Sequence, residues 1–378
     1  NLGNALQEQG DLDTAIASYN TAIQLKNNYP EAHFNMGNAL QEQGNLDAAI
    51  ASFKTALQFK HNYPEAHNNL GNALQEQDDL DAAVTSFKTA LQLKPYYPEA
   101  HFNMGNALRE QGELTKAIAS YNTAIELKPN FPDAHWNASI TMLLSGDYKN
   151  GWEKYKWRVK AKESTSKPHA IPNCSEWLGG PLKKGTKLLL VTEQGLGDTL
   201  QFVRYVHALK EKSIDISLCA PPRLHPLIIA SGIDTSPLSP EDANKVKKGY
   251  WSPLLSVPMH LRVSQDNPII TEPYIKPTDE LRIKWKSIIS PGGRPIIGIN
   301  WRGNRKDASK QCRNIPTHYL RKMLATFEGN FISLQRGANR HEIRQIIPNR
   351  KVNIQQPEIS QIVDSDQPED FLEYAAII

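Results

Sequence analysis

Cysteine is scarce in this chain, three residues in 378, and the three stand far apart at Cys174, Cys219 and Cys312. They form no C-x-x-C pair and no disulfide framework, which excludes a small disulfide-stapled fold and points to a reducing compartment, the cytoplasm. Long apolar runs are missing as well: none approaches the roughly 20 residues that span a bilayer. No secretory leader is visible, and the chain opens inside a repeating motif, so further sequence is expected before Asn1. No cluster of His, Cys and Asp has metal-ligand spacing. Net charge is small, +3 from 43 Lys/Arg and 40 Asp/Glu, so the total implies neither a nucleic acid nor a membrane surface as partner. The total hides an asymmetry. Residues 1–150 carry 9 Lys/Arg against 17 Asp/Glu, a balance of −8, whereas the remainder carries 34 against 23, a balance of +11. An acidic half and a basic half imply two modules with different partners.

What is present first is repetition. "NLGNALQEQG" (1–10) returns as "NMGNALQEQG" (35–44), "NLGNALQEQD" (69–78) and "NMGNALREQG" (103–112), each start 34 residues after the last. A degenerate fifth copy begins at Asn137. Each unit holds two stretches with apolar residues at helical spacing: Met36, Leu40, Ala49, Ile50, Phe53 and Ala56 in the second. Gly44 and Asn45 make the tight turn between them, and Pro64, Pro98 and Pro132 mark the hand-over to the next unit. A period of 34 with two helices per unit predicts a stacked helix–turn–helix array.

The pattern resembles the tetratricopeptide repeat over residues 1 to about 160, and its units are most similar to the superhelical array of O-GlcNAc transferase. That resemblance implies a concave groove lined by asparagines: Asn35, Asn69, Asn103 and Asn137, with Asn1 in the first unit. Asn38, Asn72 and Asn106 form a second row one helical turn on. An amide both donates and accepts, so such rows suit the backbone of an extended protein or peptide partner. Asparagine at these places also belongs to the general repeat consensus, where it bonds between helices; both readings stand at this point. His33, His67, His101 and His135 recur once per unit and are read as packing residues. The aromatic-rich "GDYKNGWEKYKWRVK" (146–160) is read as a terminal helix covering the apolar end of the stack.

After a polar linker (161–177) short apolar runs alternate with helical stretches. Strands are expected at 187–192, 214–220, 295–300 and 330–335, and helices at 198–211, 222–231, 279–289, 316–327 and 338–347. Such alternation predicts parallel α/β sheet. "EWLGGPLKKGTKLLLVTEQGLGDTLQFVRY", "YWSPLLSVP", "IIGINWRGN" and "ISLQRG" resemble the domain that follows tetratricopeptide repeats in many bacterial proteins, a relative of the heptosyltransferases of glycosyltransferase family nine. They do not resemble the catalytic domain of O-GlcNAc transferase. The implied fold class is a helical repeat superhelix (1–160) followed by a GT-B-like α/β domain of two doubly wound lobes, 178–278 and 279–378. The second lobe is truncated: the family continues with an Asp-Thr and His-Leu motif that helps hold the donor diphosphate. The fragment itself is therefore expected to be inactive.

The resemblance implies an inverting, metal-independent glycosyltransferase that binds no cofactor and uses a nucleotide-sugar as donor substrate. Gly197-Asp198 matches the pair that supplies the catalytic carboxylate, with Glu193 as the alternative base. Gly195 and Gly197 would let backbone approach the acceptor. Asp198 followed by Gln201 also reads as a helix-capping box. The basic stretch "INWRGNRKDASKQCRNIP" (299–316) leaves a strand and ends ahead of a helix. It offers Arg302, Asn304, Arg305, Lys306, Lys310 and Arg313 to a diphosphate, with Gln335 reaching the nucleotide. The alternative is a non-catalytic interaction scaffold whose α/β domain is degenerate.

Overall fold

The computed structural model describes residues 1–162, 166–269, 272–288, 296–299, 315–326, 330–333 and 375. The chain divides into two compact units: Asn1–Lys167 with Pro258–Pro268, and Pro168–Val257 with Ile269–Ile378. No helix among the described residues is long and apolar enough to cross a membrane.

The first unit is a stack of helix pairs: α1 (Leu2–Glu8) and α2 (Leu12–Leu25), α3 (Pro30–Glu42) and α4 (Leu46–Phe59), α5 (Pro64–Glu76) and α6 (Leu80–Leu93), α7 (Pro98–Glu110) and α8 (Leu114–Leu127), α9 (Pro132–Leu144) and α10 (Tyr148–Tyr155). Local chemistry sets the boundaries. Pro30, Pro64, Pro98 and Pro132 open their helices at the first turn, where the missing N–H has no intrahelical partner to lose. Asp11, Asn45, Asp79 and Asp147 cap the second helix of their pairs by accepting from a first-turn N–H. Gly44 bridges its pair at φ +83, and in the third unit Asp78 holds the same turn at φ +69.

Packing explains the small residues. Gly3, Gly37, Gly71 and Gly105 lie against the rings of Tyr19, Phe53, Phe87 and Tyr121, so close that an added Cβ would stand 2.5 to 2.6 Å from the ring. Ala49, Ala83 and Ala117 are fully buried where the helices cross. In the fifth pair Ser139 stands in the glycine's place, fully buried, with its hydroxyl unbonded among the described residues. The histidines pack as expected. His67, His101 and His135 place Nε2 on the carbonyls of His61, Pro95 and Pro129, and His33 stacks on Phe59.

The terminal helix pair is covered by a stretch from far along the chain. Trp152 of α10 donates its indole N–H to the Val263 carbonyl at 3.0 Å. Arg158 is almost completely buried beside the Tyr155 ring. Sequence reading assigned 258–268 to the lobe 178–278; it packs instead within the repeat unit. Covering α10 in this way is a long-range event, which no periodicity encodes.

In the second unit β1 (Ser175–Glu176), β2 (Lys187–Val191), β3 (Asp215–Cys219) and β4 (Tyr250–Pro253) form a parallel sheet in the order β1-β4-β2-β3. Leu188 to Val191 of β2 are all buried, as in a strand covered on both faces. Helices α11 (Leu196–Phe202) and α12 (Arg204–Glu211) carry the chain from β2 to β3, where a single helix over 198–211 was expected. Further on, β5 (Ile296–Ile299) and β6 (Asn330–Ser333) pair in parallel, Ile296 opposite Asn330. Ser175 and Glu176, expected in the linker, are strand residues paired with Tyr250 and Trp251.

Candidate functional site

The asparagines of the first helices form a bonded ladder. Asn35 donates to Asn4 (3.1 Å), Asn69 to Asn38 (2.7 Å) and Asn137 to Asn106 (2.9 Å), in each case reaching back one unit. The hydroxyls of Tyr19 and Tyr121 add bonds to Asn4 and Asn106. The amides therefore tie units together, as the repeat-consensus reading allows. Asn35, Asn38, Asn69 and Asn106, all half-exposed, still have an N–H or lone pairs for a ligand, whereas Asn137, expected in the groove, is buried at 4% exposure and presents none.

One rung departs. Asn103 donates instead to Asn68 (3.1 Å), and Asn68 donates to Asn69 (3.0 Å). Asn68 occupies the place of Phe34, Phe102 and Trp136 in the other units, and at 4% exposure its amide must find internal partners. Asn72 is thereby left without a hydrogen bond among the described residues, half-exposed beside a pocket of about 450 Å³. Asn38, Gln41, Glu42, Asn69 and Glu76 line the same pocket.

A third row escaped the sequence reading. Gln7, Gln41 and Gln75 donate to Glu42, Glu76 and Glu110 of the following unit at 2.6 to 2.8 Å. Its signal was the "QEQ" that recurs in the first three units.

In the second unit the candidate loop leaves β2 where β3 lies on one side and β4 on the other. The chain visits β3 and then returns across β2, so the strand order reverses here, the position at which open α/β sheets hold ligands. Gln194 takes the left-handed conformation at φ +56 and turns the chain into α11. Asp198 sits at the third position of that helix and accepts from the Gly195 N–H at 3.1 Å. It is thus the reaching-back acid of a half-box, and the pairing with Gln201 expected from sequence is replaced. Gly195 has no side chain to supply the other half.

Neither glycine is demanded by the fold. Gly195 has an ordinary extended backbone, φ −82 and ψ 171, and a Cβ there would meet nothing nearer than the Asp198 carboxylate at 3.4 Å. A Cβ on Gly197 would meet no atom within 4 Å. Asp198 is half-buried, whereas Glu193 is fully enclosed. A histidine that sequence reading passed over joins this end of the sheet. His169 bonds the Thr192 hydroxyl through Nδ1 at 2.8 Å and the Thr192 carbonyl through its backbone N–H at 2.9 Å. Arg302, Asn304, Arg305, Lys306, Lys310, Arg313 and Gln335 lie outside the described residues.

The comparisons with known proteins bear on the first unit. A TPR repeat family model matches residues 3–44, 37–78, 71–108 and 105–143. This part of the chain is an array of tetratricopeptide repeats, a class that suggests a scaffold for protein or peptide partners. Among solved structures, MamA is 26% identical over 42% of this chain and 94% of its own, with a TM-score of 0.40. YrrB, described as a TPR protein with an unusual peptide-binding site, is 23% identical over 42% of this chain and 82% of its own, with a TM-score of 0.37. A thermophilic TPR protein of Thermus thermophilus is 22% identical over 43% of this chain and 88% of its own, with a TM-score of 0.37. No curated protein sequence matches the chain.

Proposed function

We propose that the chain recruits a protein partner by holding an extended segment of it along the amide rows of the repeat groove. The observation that carries this is the interrupted rung. Asn72 is left unbonded beside a 450 Å³ pocket with Asn38, Gln41 and Asn69, so donors and acceptors are available at one point of the groove without breaking the ladder. The test uses peptides selected from a random library on the full chain. Asn72→Ala should weaken their binding by about five- to ten-fold, the size of one or two hydrogen bonds, and leave the melting temperature unchanged. Equal binding by the variant overturns the assignment.

A second reading makes the α/β domain a glycosyltransferase acting on that partner or on a glycan, with a nucleotide-sugar as donor and a two-lobed GT-B fold. It rests on the family resemblance, and the open space around Gly195 and Gly197 at the reversal point of the sheet favours it. In this reading Asp198 takes the proton from the acceptor hydroxyl through Oδ1, which makes no hydrogen bond among the described residues while Oδ2 holds Gly195. The buried Glu193 is the weaker base candidate. The Arg302, Asn304, Arg305, Lys306, Arg313 and Gln335 set receives the departing diphosphate. Asp198→Asn keeps the acceptor for Gly195 and should hold the melting temperature within a few degrees, while turnover falls about 10²-fold or more. Nucleotide release from a panel of nucleotide-sugars by the protein extended beyond Ile378 is the assay. Release by none of them leaves the scaffold reading alone.

A further inference from the structure

Two rows of glutamates run along the repeats, and the chain treats them differently. Glu31, Glu65 and Glu99 stand in the first turns of α3, α5 and α7. Each meets a lysine from the end of its own helix pair, Lys60, Lys94 and Lys128, at 3.2, 3.0 and 2.8 Å. Their charge is answered within the protein. Glu42, Glu76 and Glu110 end the same three helices, and each accepts a glutamine amide N–H from the preceding unit at 2.6 to 2.8 Å. An amide is neutral, so it orients the carboxylate without cancelling its charge. The bond falls on Oε1 each time, and Oε2 makes no hydrogen bond among the described residues. All three glutamates are exposed, and none is ion-paired among the described residues.

Glu42 and Glu76 line the 450 Å³ pocket together with the unbonded Asn72, and no lysine or arginine lines it with them. A basic residue enters the row only further on. Arg109 takes the place of Gln7, Gln41 and Gln75 in the fourth unit, next to Glu110 in the chain, and in the fifth unit Leu144 replaces the glutamate. The uncompensated carboxylates therefore gather at Glu42 and Glu76, beside amides that suit a peptide backbone. Among the described residues no three acidic, His or Cys side chains converge closely enough to hold a metal ion, so the cation that fits is one carried on a side chain. A lysine or arginine brings its charge on a long stem and leaves its own backbone to the asparagines. A carboxylate already oriented by a neighbour loses little freedom when that cation arrives.

We propose that the segment held in the groove is basic, with a lysine or arginine seated at Glu42 and Glu76; this rests on the groove reading above and adds the partner's charge to it. The test is fluorescence polarisation of the full chain with peptides of about ten residues on one serine–alanine backbone, carrying arginine, glutamine or glutamate at alternate positions. The arginine peptide should bind about ten-fold tighter than the glutamine peptide, the glutamate peptide weakest of all, and the difference should shrink as salt shortens the reach of the charges. Glu42→Gln with Glu76→Gln keeps the acceptors for Gln7 and Gln41 and should hold the melting temperature. It should weaken the arginine peptide by about three-fold for each glutamate and leave the glutamine peptide as before. Glu31→Gln with Glu65→Gln removes the same net charge from the row that Lys60 and Lys94 already answer, and should change binding by less than about two-fold. Equal binding of the three peptides, an unchanged Glu42, Glu76 variant, or an equal loss in the Glu31, Glu65 variant each overturns the proposal. If Asn72→Ala still weakens the peptides in that case, the groove reading survives without the charge preference; binding of none of the peptides overturns both.

Discussion

Gly71→Ala is the sharpest test of how the repeats pack. Alanine is the better helix former by about 1 kcal/mol, so an exposed helix would gain from the change. Here the new Cβ would lie 2.6 Å from Cε1 of Phe87 and 2.8 Å from both Cδ1 and Cζ. Carbon atoms rest about 3.5–4.0 Å apart, so the ring would have to retreat by about 1 Å. Three atoms of one ring edge are too close together, so rotation about the ring axis gives no relief. Phe87 is fully buried, so a retreat of the ring presses on its packed neighbours. Overpacking of this kind costs about 1–3 kcal/mol, and the net expectation after the propensity gain is a loss of about 1–2 kcal/mol. The assay is urea unfolding followed by circular dichroism, with hydrogen exchange locating the loss to α5 and α6, because a solenoid opens unit by unit. In a Phe87→Leu background the methyl has room, and Gly71→Ala should become neutral or favourable, a coupling of at least about 1 kcal/mol. An equal cost in both backgrounds, or a stabilised single variant, would falsify the packing argument.

The repeat histidines predict acid sensitivity. Burial lowers the His33, His67, His101 and His135 pKa values, and burial with Arg158 nearby pushes His260 down to about 4. The folded state therefore binds fewer of these protons than the unfolded chain, whose histidines titrate near about 6.5. Stability is full above that value and is lost as pH falls from there toward about 4. Melting temperature should fall over this window less steeply in a His67→Gln, His101→Gln variant, and an identical slope counts against the assignment. Residues 1–162 alone should remain helical, but α10, without its cover from 258–268, should exchange its amide hydrogens faster than in the full chain. Trp152→Phe in the full chain should cost about 1 kcal/mol through the lost bond to Val263; no change in melting would show that the bond contributes nothing.

The helical repeat was legible because its information is local and redundant. Caps, prolines, turn residues and apolar spacing recur every 34 residues, and each copy reinforces the others. The strands at 187–191 and 215–219 were equally readable from short apolar runs. The single helix expected over 198–211 is two, divided at Val203, a boundary that no proline or glycine announced. Capping was visible in kind but wrong in register: an acid near a helix start serves as N-cap or as the third-position partner depending on where the backbone turns. Gln194, left-handed at φ +56, placed that turn three residues earlier than the Asp198-Gln201 spacing suggested.

Sequence alone determined the number of repeats, the turns between their helices, the asparagine rows and the parallel character of the sheet, since each follows from periodicity and short-range chemistry. Tertiary structure decided which of those amides are occupied. Asn72 is unbonded because Asn68, buried in place of an aromatic, draws Asn103 away from it, and because Phe87 stands where Tyr19 and Tyr121 offer a hydroxyl. Tertiary structure also decided that 258–268 covers α10 and that His169 reaches Thr192. In each case the contact joins residues far apart in the chain, and their proximity depends on how the intervening elements pack, which no local pattern records.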